Sequence, residues 1–381
     1  PWFLDWGRDS LIVARGMLSG GMTEEVVKLL IVFGRFESHG TLPNTIHGAN
    51  ASNRDTSDAP LWYGVLSEET AAIKGASFYQ TEVDHEGKTI QEVLFRIATG
   101  IMRGTPNGIQ MDKQSGLVWS PSHFTWMDTN YPAGTPREGY PVEIQALWIR
   151  LLRLLNELFE SADASSRPAY MEPLEQTWKH WLALAKLSFD QLYWIEEKGG
   201  PADVLIGTKG TPAKDALRDQ ALRSNCLWSV SLGCMEGDKA RSTVEAARRY
   251  LVIPGALRSL APLPPLPHLP IYGKNGDLLN DPAFPYWGRY EGDEDTRRKP
   301  AYHNGTAWVW TFPTFCEALA EAWKEDPVAL DAALDYLASM SHYWIDGCSG
   351  QLPEVVDGDA PHYQRGCDAQ AWSVSEALRV W

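Results

Sequence analysis

The sequence predicts an all-α protein arranged as a toroid of helix pairs, an (α/α)6 barrel, and three observations carry that prediction. Apolar residues recur at helical spacing in about 9–19, 23–36, 66–79, 88–102, 141–160, 169–190, 214–233, 238–250, 305–323, 327–345 and 365–380. Loops rich in Gly, Pro, Asn and Asp, long and short in alternation, separate these stretches. Strands and helices do not alternate, so a parallel sheet has no support, and only short strands are expected, as at Val204–Ile206. Periodicity alone also fits a solenoid; the alternation of loop lengths is what favours the closed ring.

Taken in order, Thr23 before Glu24 and Glu25, and Ser67 before Glu68 and Glu69, read as helix caps with carboxylates in the first turn. The stretch 141–160 shows the clearest stripe, formed by Ile144, Leu147, Trp148, Leu151, Leu152 and Leu155. Ser375 lies inside its helical stretch and is not a cap. Segment 251–300 differs: PLPPLPHLP leads into polar loops through GRYEGDEDTRRKP. A flexible linker between two domains is one reading. A long ordered loop is preferred, because patterning resumes at once in AYHNGTAWVW. A single domain over residues 1–381 is therefore expected.

Net charge is −15, which repels nucleic-acid phosphates and anionic membranes but not a neutral sugar. There is no run of 18 or more apolar residues. Cys226, Cys234, Cys316, Cys348 and Cys367 are odd in number and lack CxxC spacing, which argues against a disulfide framework or zinc site and favours a reducing, cytoplasmic compartment. The chain begins PWFLDWGRDS without Met or leader and ends in helix-like CDAQAWSVSEALRVW, so it reads as a fragment of a longer protein. No GxSxG, GxxxxGK[ST], GxGxxG or HxxxH occurs, and neither a cofactor nor a metal is expected.

Two carboxylates stand in unusually aromatic surroundings: Asp128 in HFTWMDTNYPAGTPREGYPVEIQALW and Glu354 in GQLPEVVDGDAPHYQRGCDAQAWSV. Each sits in a Gly/Pro-broken stretch just before a helical pattern, where a scaffold holds working residues. Cleavage of a glycosidic bond needs such a pair, one to protonate the leaving oxygen and one to activate water. The chain's 17 Trp include many outside helical cores, and they supply flat faces for sugar C–H surfaces. A toroid would gather loops from many helix pairs at one end and bring Asp9, Asp128 and Glu354 together.

Other residues fit around that pair. Arg8 and Asp9 of DWGRDS suit a clamp on vicinal hydroxyls, or a helix cap with a structural ion pair. Residues 42–64 offer Asn44, Asp58, Trp62 and Tyr63; Asp58 before Pro60 reads equally as a turn or cap. Trp126 in TWMD can shield Asp128 from water and keep it protonated, although Asp128 also suits a cap. Glu143 either meets substrate or serves its helix N-terminus. His303 in YHNGTAWVW either binds a hydroxyl or is satisfied within its loop. Asp357 and Asp359 crowd Glu354; their charges would raise its pKa or bind substrate or a cation, although DGD lacks the remaining ligands of a calcium loop.

Five blocks occur in order: PWFLDWGRDS; LPN followed by SDAPLWY; HFTWMD with TPREGYPVEIQALW; YHNGTAWVW; and EVVDGDAPHYQRGCDAQAWSVSEALR. In these the chain resembles, over nearly its whole length, the C-terminal amylo-α-1,6-glucosidase domain of glycogen debranching enzymes of the bacterial and archaeal type. The resemblance implies a glucoamylase-like six-hairpin toroid and hydrolysis, with inversion, of α-1,6-linked glucose at branch stubs of an α-glucan such as glycogen. It implies Asp128 as general acid, Glu354 as general base, and Arg8 and Asp9 as holders of the terminal glucose. From the five blocks come the further candidate sugar contacts Trp6, Asn44, Asp58, Trp62, Trp126, Glu143, Tyr302, His303, Asn304, Trp308, Asp359, Gln370 and Trp372. It also implies a β-rich domain ahead of the toroid. One departure is visible: family members commonly carry TWMDAK, whereas this chain has TWMDTNYPAG, with Asn130 and Tyr131 after the acid. The rivals are a toroid glucosidase of another α-linkage and a non-catalytic glycan-binding domain; the intact carboxylate pair stands against the latter.

Overall fold

A computed structural model describes residues 4–48, 50–129 and 134–381, and it is mostly helical, with twelve α-helices among the described residues and small sheets of two- or three-residue strands. No helix among the described residues is long and apolar enough to cross a membrane. The chain packs as two compact units. The first comprises Pro1–Trp126, Glu138–Leu192 and Gly207–Ala216; the second comprises Met127–Arg137, Tyr193–Ile206 and Leu217–Trp381. Segment 251–300 lies inside the second unit and is not a linker between the two.

The first unit is built from α1 (Gly7–Ser19), α2 (Thr23–Arg35), α3 (Ala59–Lys74), α4 (Ile90–Arg103), α5 (Val142–Ser161) and all but the last residue of α6 (Trp178–Tyr193). Helix α3 is its centre and packs against α1, α2, α4 and α5. Burial explains why this helix begins seven residues before the predicted start: Ala59–Ser67 are all buried, so APLWYGVL is apolar on every side and shows no stripe. Ser67 is consequently inside α3 and not its cap, and Thr23 is likewise the first residue of α2 after an N-cap at Met22. Glu68 and Glu69 do different work from that expected. Glu69 takes a two-pronged bond from Arg15 on α1 (2.9 and 2.8 Å), and Glu68 accepts from Arg150 on α5 (2.6 Å), so the pair ties three helices together. The stretch predicted as a helix over 169–190 is broken, with a 3-10 turn at Ala169–Met171 and the helix starting only at Trp178; Pro173 lies in the gap.

Helix α4 is capped by Thr89, whose hydroxyl accepts from the Glu92 N–H at 3.2 Å. Further along it, Gly100 abuts Gly40, and a Cβ at Gly100 would lie 2.5 Å from the Gly40 Cα and 2.6 Å from the His39 carbonyl oxygen. Only backbone faces it, and backbone cannot swing aside. Gly100→Ala is expected to destabilise by about 1–3 kcal/mol through overpacking, despite the roughly 1 kcal/mol that Ala gains over Gly in an open helix. Urea unfolding checks this: the midpoint should fall at constant slope.

The second unit carries α7 (Trp228–Ser231), α8 (Gly237–Tyr250), α9 (Lys299–Tyr302), α10 (Phe312–Ala322), α11 (Pro327–Ala338) and α12 (Ala371–Val380). At its heart is a five-stranded antiparallel sheet in the order Val252–Ile253, Ala256–Arg258, Ala307–Trp308, Val355–Val356, Gln364–Arg365. Two predicted helices are corrected here. Over 214–233, Leu217–Arg218 is instead a strand paired with Val204–Ile206, followed by a 3-10 turn and the one-turn α7. Over 305–323, Ala307–Trp308 is a strand and α10 starts at Phe312, followed at once by Pro313. The sheet aligns three segments of interest: Trp308 pairs with Val355, and Val355 pairs with Arg365.

Candidate active site

Glu354 precedes the strand Val355–Val356, and the sheet edge fixes its backbone. Its N–H donates to the Cys367 carbonyl at 2.8 Å, and its carbonyl accepts from the Val309 N–H at 3.3 Å. The carboxylate has a donor on each oxygen: Oε1 accepts from the Tyr302 hydroxyl, and Oε2 from the Cys367 N–H at 3.0 Å. Tyr302 ends α9 and sits in an aromatic cluster. Its ring stacks on Tyr290 at 5.2 Å and lies 4.6 Å from Trp308, whose indole N–H donates to the Tyr302 carbonyl at 2.8 Å. His303 is buried and stacks on Trp308 at 5.4 Å, while Trp372 meets Trp308 edge-on and stacks on Trp310 at 4.4 Å. Burial first, then the charge and hydrogen bond of Glu354, then Tyr290 and the charge of Asp128, hold the Tyr302 hydroxyl well above its ordinary range. It therefore stays a neutral donor wherever a carboxylate base is ionised.

Asp128 is half-buried and follows Met127, which is fully buried. The Thr135 hydroxyl donates to the Met127 carbonyl at 3.3 Å. Asn130 and Tyr131 lie outside the described residues. The two other carboxylates of EVVDGD are occupied. Asp357 is fully buried; Arg365 forks onto it (Nη2–Oδ2 2.9 Å) and the Tyr290 N–H donates to it at 2.8 Å. Asp359 accepts from the Tyr286 hydroxyl at 2.9 Å. Each of these two carboxylates thus has a positive or protic partner of its own. Gln370 is the N-cap residue of α12, and its N–H donates to the Leu352 carbonyl at 2.9 Å. Asn304 is buried and spans two groups, accepting from Arg223 at 2.9 Å and donating to the Pro300 carbonyl at 3.0 Å.

The first unit gathers a second set. Arg8, buried in the first turn of α1, lies 3.5 Å from the carboxylates of both Asp9 and Asp58. Asp58 uses its carbonyl, not its carboxylate, to start α3: the Leu61 and Trp62 N–H groups donate to that carbonyl, and the side chain accepts from the Thr56 hydroxyl at 2.7 Å. Asp9 keeps 28% of its side chain exposed, which leaves it reachable. Trp6 pairs with Thr45 in a short antiparallel ladder, and the Gly7 N–H donates to the Asn44 carbonyl, so Trp6, Arg8 and Asn44 share one neighbourhood. Trp62 is buried on α3 with the Arg15 guanidinium 5.3 Å above its ring. Trp126 and Glu143 are buried too, Glu143 in the first turn of α5.

A buried network in the second unit escaped the sequence reading. Asp203 accepts from Arg137 Nε (2.7 Å) and Nη2 (3.2 Å) and from Asn225 Nδ2 (2.9 Å), and Arg223 Nε lies 3.6 Å away. A single signal was available, a lone acid inside the apolar run PADVLI, which burial makes costly unless it is paired. Burial alone would raise this carboxyl; the Arg137 and Arg223 charges and the hydrogen bonds outweigh it and hold it below its ordinary 3.8. A carboxyl depressed by folding stabilises above its unfolded value and loses that contribution as pH falls through its folded one. The gap in Tm between wild type and Asp203→Asn should therefore be wide at neutral pH and close below pH 3.8. A gap independent of pH would contradict it.

A helical scaffold carrying a donor-clamped carboxylate among stacked aromatics, with a second carboxylate in electrostatic reach, is the equipment of a glycoside hydrolase, and the comparisons agree on that class. Residues 1–379 match the family model of amylo-alpha-1,6-glucosidase, and the chain belongs to that family. The glycogen debranching enzyme of Saccharomyces cerevisiae (strain ATCC 204508 / S288c) is 22% identical over 456 residues, covering 97% of this chain and 28% of that enzyme. The chain thus spans little more than a quarter of the curated relative's length. Among solved structures, the GH63 mannosylglycerate hydrolase of Thermus thermophilus superposes with a TM-score of 0.62 at 14% identity, over 99% of this chain and 93% of its own. The GH78 family rhamnosidase of Bacillus sp. GL1 follows with 0.58 at 14% identity, over 98% and 31%. At such identities these two likenesses concern the fold alone.

Proposed function

We propose that the chain hydrolyses α-1,6-linked glucose at branch points of a glycogen-like glucan, with inversion, on an (α/α)6 scaffold formed by residues 1–381. Family membership supports the reaction class, and the helical fold with its glycosidase likenesses supports the scaffold. The observation that carries the reading is the seating of Glu354: a phenol and a backbone N–H on its two oxygens.

In this mechanism Asp128 gives its proton to the glycosidic oxygen as the bond to the anomeric carbon breaks. Glu354 takes a proton from water, which attacks the opposite face of the ring and leaves glucose inverted. Each oxygen of the Glu354 carboxylate uses one lone pair on its fixed donor and keeps another for that water. Tyr302 cannot compete as an acid, because its hydroxyl stays protonated. Arg8 and Asp9 suit the terminal sugar's vicinal hydroxyls, the first donating and the second accepting. An intracellular storage glucan as substrate would place the protein in the cytoplasm.

A panel of α-1,6, α-1,4 and α,α-1,1 glucosides tests the linkage. Glucose from the α-1,6 member is the expected result. Turnover confined to another member would replace the linkage, and saturable binding with no product would recast the chain as a glycan-binding domain.

A further inference from the structure

We infer that Asp203 is a positioning residue that ties the segment bearing the acid to the segment bearing the base. The inference rests on the reading of Asp128 and Glu354 as that pair. Towards the acid, Arg137 is the last residue of the Met127–Arg137 segment that carries Asp128, and its backbone is left-handed (φ 48°). Its guanidinium forks onto both oxygens of Asp203. Asn225 donates to Asp203 at 2.9 Å and also approaches the sulfur of Met127, the residue before Asp128, at 3.6 Å. One carboxylate is thus tied to that segment directly at Arg137 and through Asn225 at Met127.

Towards the base, Arg223 carries the connection. Its Nε lies 3.6 Å from Asp203, its Nη1 donates to the His303 carbonyl, and its Nη2 donates to Asn304 at 2.9 Å. Asn304 in turn binds the Pro300 carbonyl, so the turn 300–304 is pinned from within, and Tyr302, the donor to Glu354, sits in that turn. The other charged groups around Asp203 are Lys198 and Asp219. Both have anchors elsewhere: Lys198 on the Pro201 and Ala221 carbonyls (2.8 Å each), Asp219 on the Ala221 N–H (2.9 Å).

Buried ion networks of this kind add little net stability against well-packed apolar residues, because desolvation offsets the attraction. What the forked geometry adds is orientation, since a guanidinium paired through two nitrogens has one allowed pose. An acid and a base that flank a sugar and its attacking water must be held to fractions of an ångström, and a 1 Å error costs on the order of 100-fold in rate.

The test compares Arg137→Lys, Arg223→Lys, their double variant and Asp203→Asn, with Asp128→Asn and Glu354→Gln as references, on a limit dextrin with single-glucose branches. In Asp203→Asn kcat should fall by roughly 100-fold while KM barely moves, because ground-state binding is not its task. Each Lys variant keeps the charge and loses the fork, so each should lower kcat by roughly tenfold. The double variant should fall well short of the roughly 100-fold that two independent tenfold losses would give, a non-additivity expected when both act through one side chain. Should Asp203→Asn fail to fold, the Lys cycle carries the test alone. Independent, multiplying losses in that cycle, wild-type kcat in any folded network variant, or a rise in KM alone would overturn the inference and leave the proposed reaction standing. Full turnover in Asp128→Asn or Glu354→Gln would instead remove the reading on which it rests, and the inference with it.

Discussion

Glu354→Gln is expected to lower kcat by about 10²–10⁴-fold, the usual contribution of a positioned general base, while the protein keeps its fold. The amide has the shape of the acid, and the backbone bonds from residue 354 to Cys367 and Val309 do not involve the side chain. On the proposed mechanism, what disappears is the acceptor for the proton of water. Asp128→Asn should be as damaging on a branched glucan. It should be far less so on α-glucosyl fluoride, whose leaving group departs without a proton. That difference separates the two roles, since loss of the base affects both substrates alike. Normal turnover by Glu354→Gln, with its melting curve unchanged, would take this residue out of the mechanism.

Gly366→Ala should be nearly as costly for activity, although it removes no functional group. Gly366 has φ 67°, and a Cβ there would fall on Oε2 of Glu354. The neighbouring Cys367 N–H is the donor to that same oxygen. The methyl group must therefore push the carboxylate off its donor, or the turn must open. Displacement on the ångström scale costs on the order of 100-fold in kcat, and the left-handed backbone adds roughly 1–2 kcal/mol of destabilisation. Steady-state kinetics beside calorimetry measures both. Wild-type kcat in a folded Gly366→Ala protein would mean that the seat of Glu354 is not tuned as described.

How far the sequence disclosed this arrangement follows from physical scale. Helices with one wet face were legible: residues 238–250 were predicted, and Gly237–Tyr250 is the helix. Helix α3 was read seven residues late, because burial on all sides erases the periodicity on which the reading depends. The strand Val204–Ile206 was legible as a short apolar run, but Ala307–Trp308 and Val355–Val356 were not, since two residues cannot display alternation. That sheet was the larger loss, as it seats Glu354. The proposed site draws on residues that stand out by composition at Tyr302, Trp308, Glu354 and Trp372. The buried network of Arg137, Asp203, Arg223 and Asn225 was not readable, because single polar residues in ordinary loops converge only after folding. The carboxylates of Asp357 and Asp359 were visible, but their partners Arg365 and Tyr286 were not.

The measurement that bears most directly on the central claim is proton NMR of the purified chain turning over a glycogen limit dextrin with single-glucose branches. Early appearance of β-glucose is the expected result, since water activated by Glu354 attacks opposite the leaving oxygen. Early α-glucose would contradict the inverting pair, and no glucose from folded protein would contradict the proposed reaction.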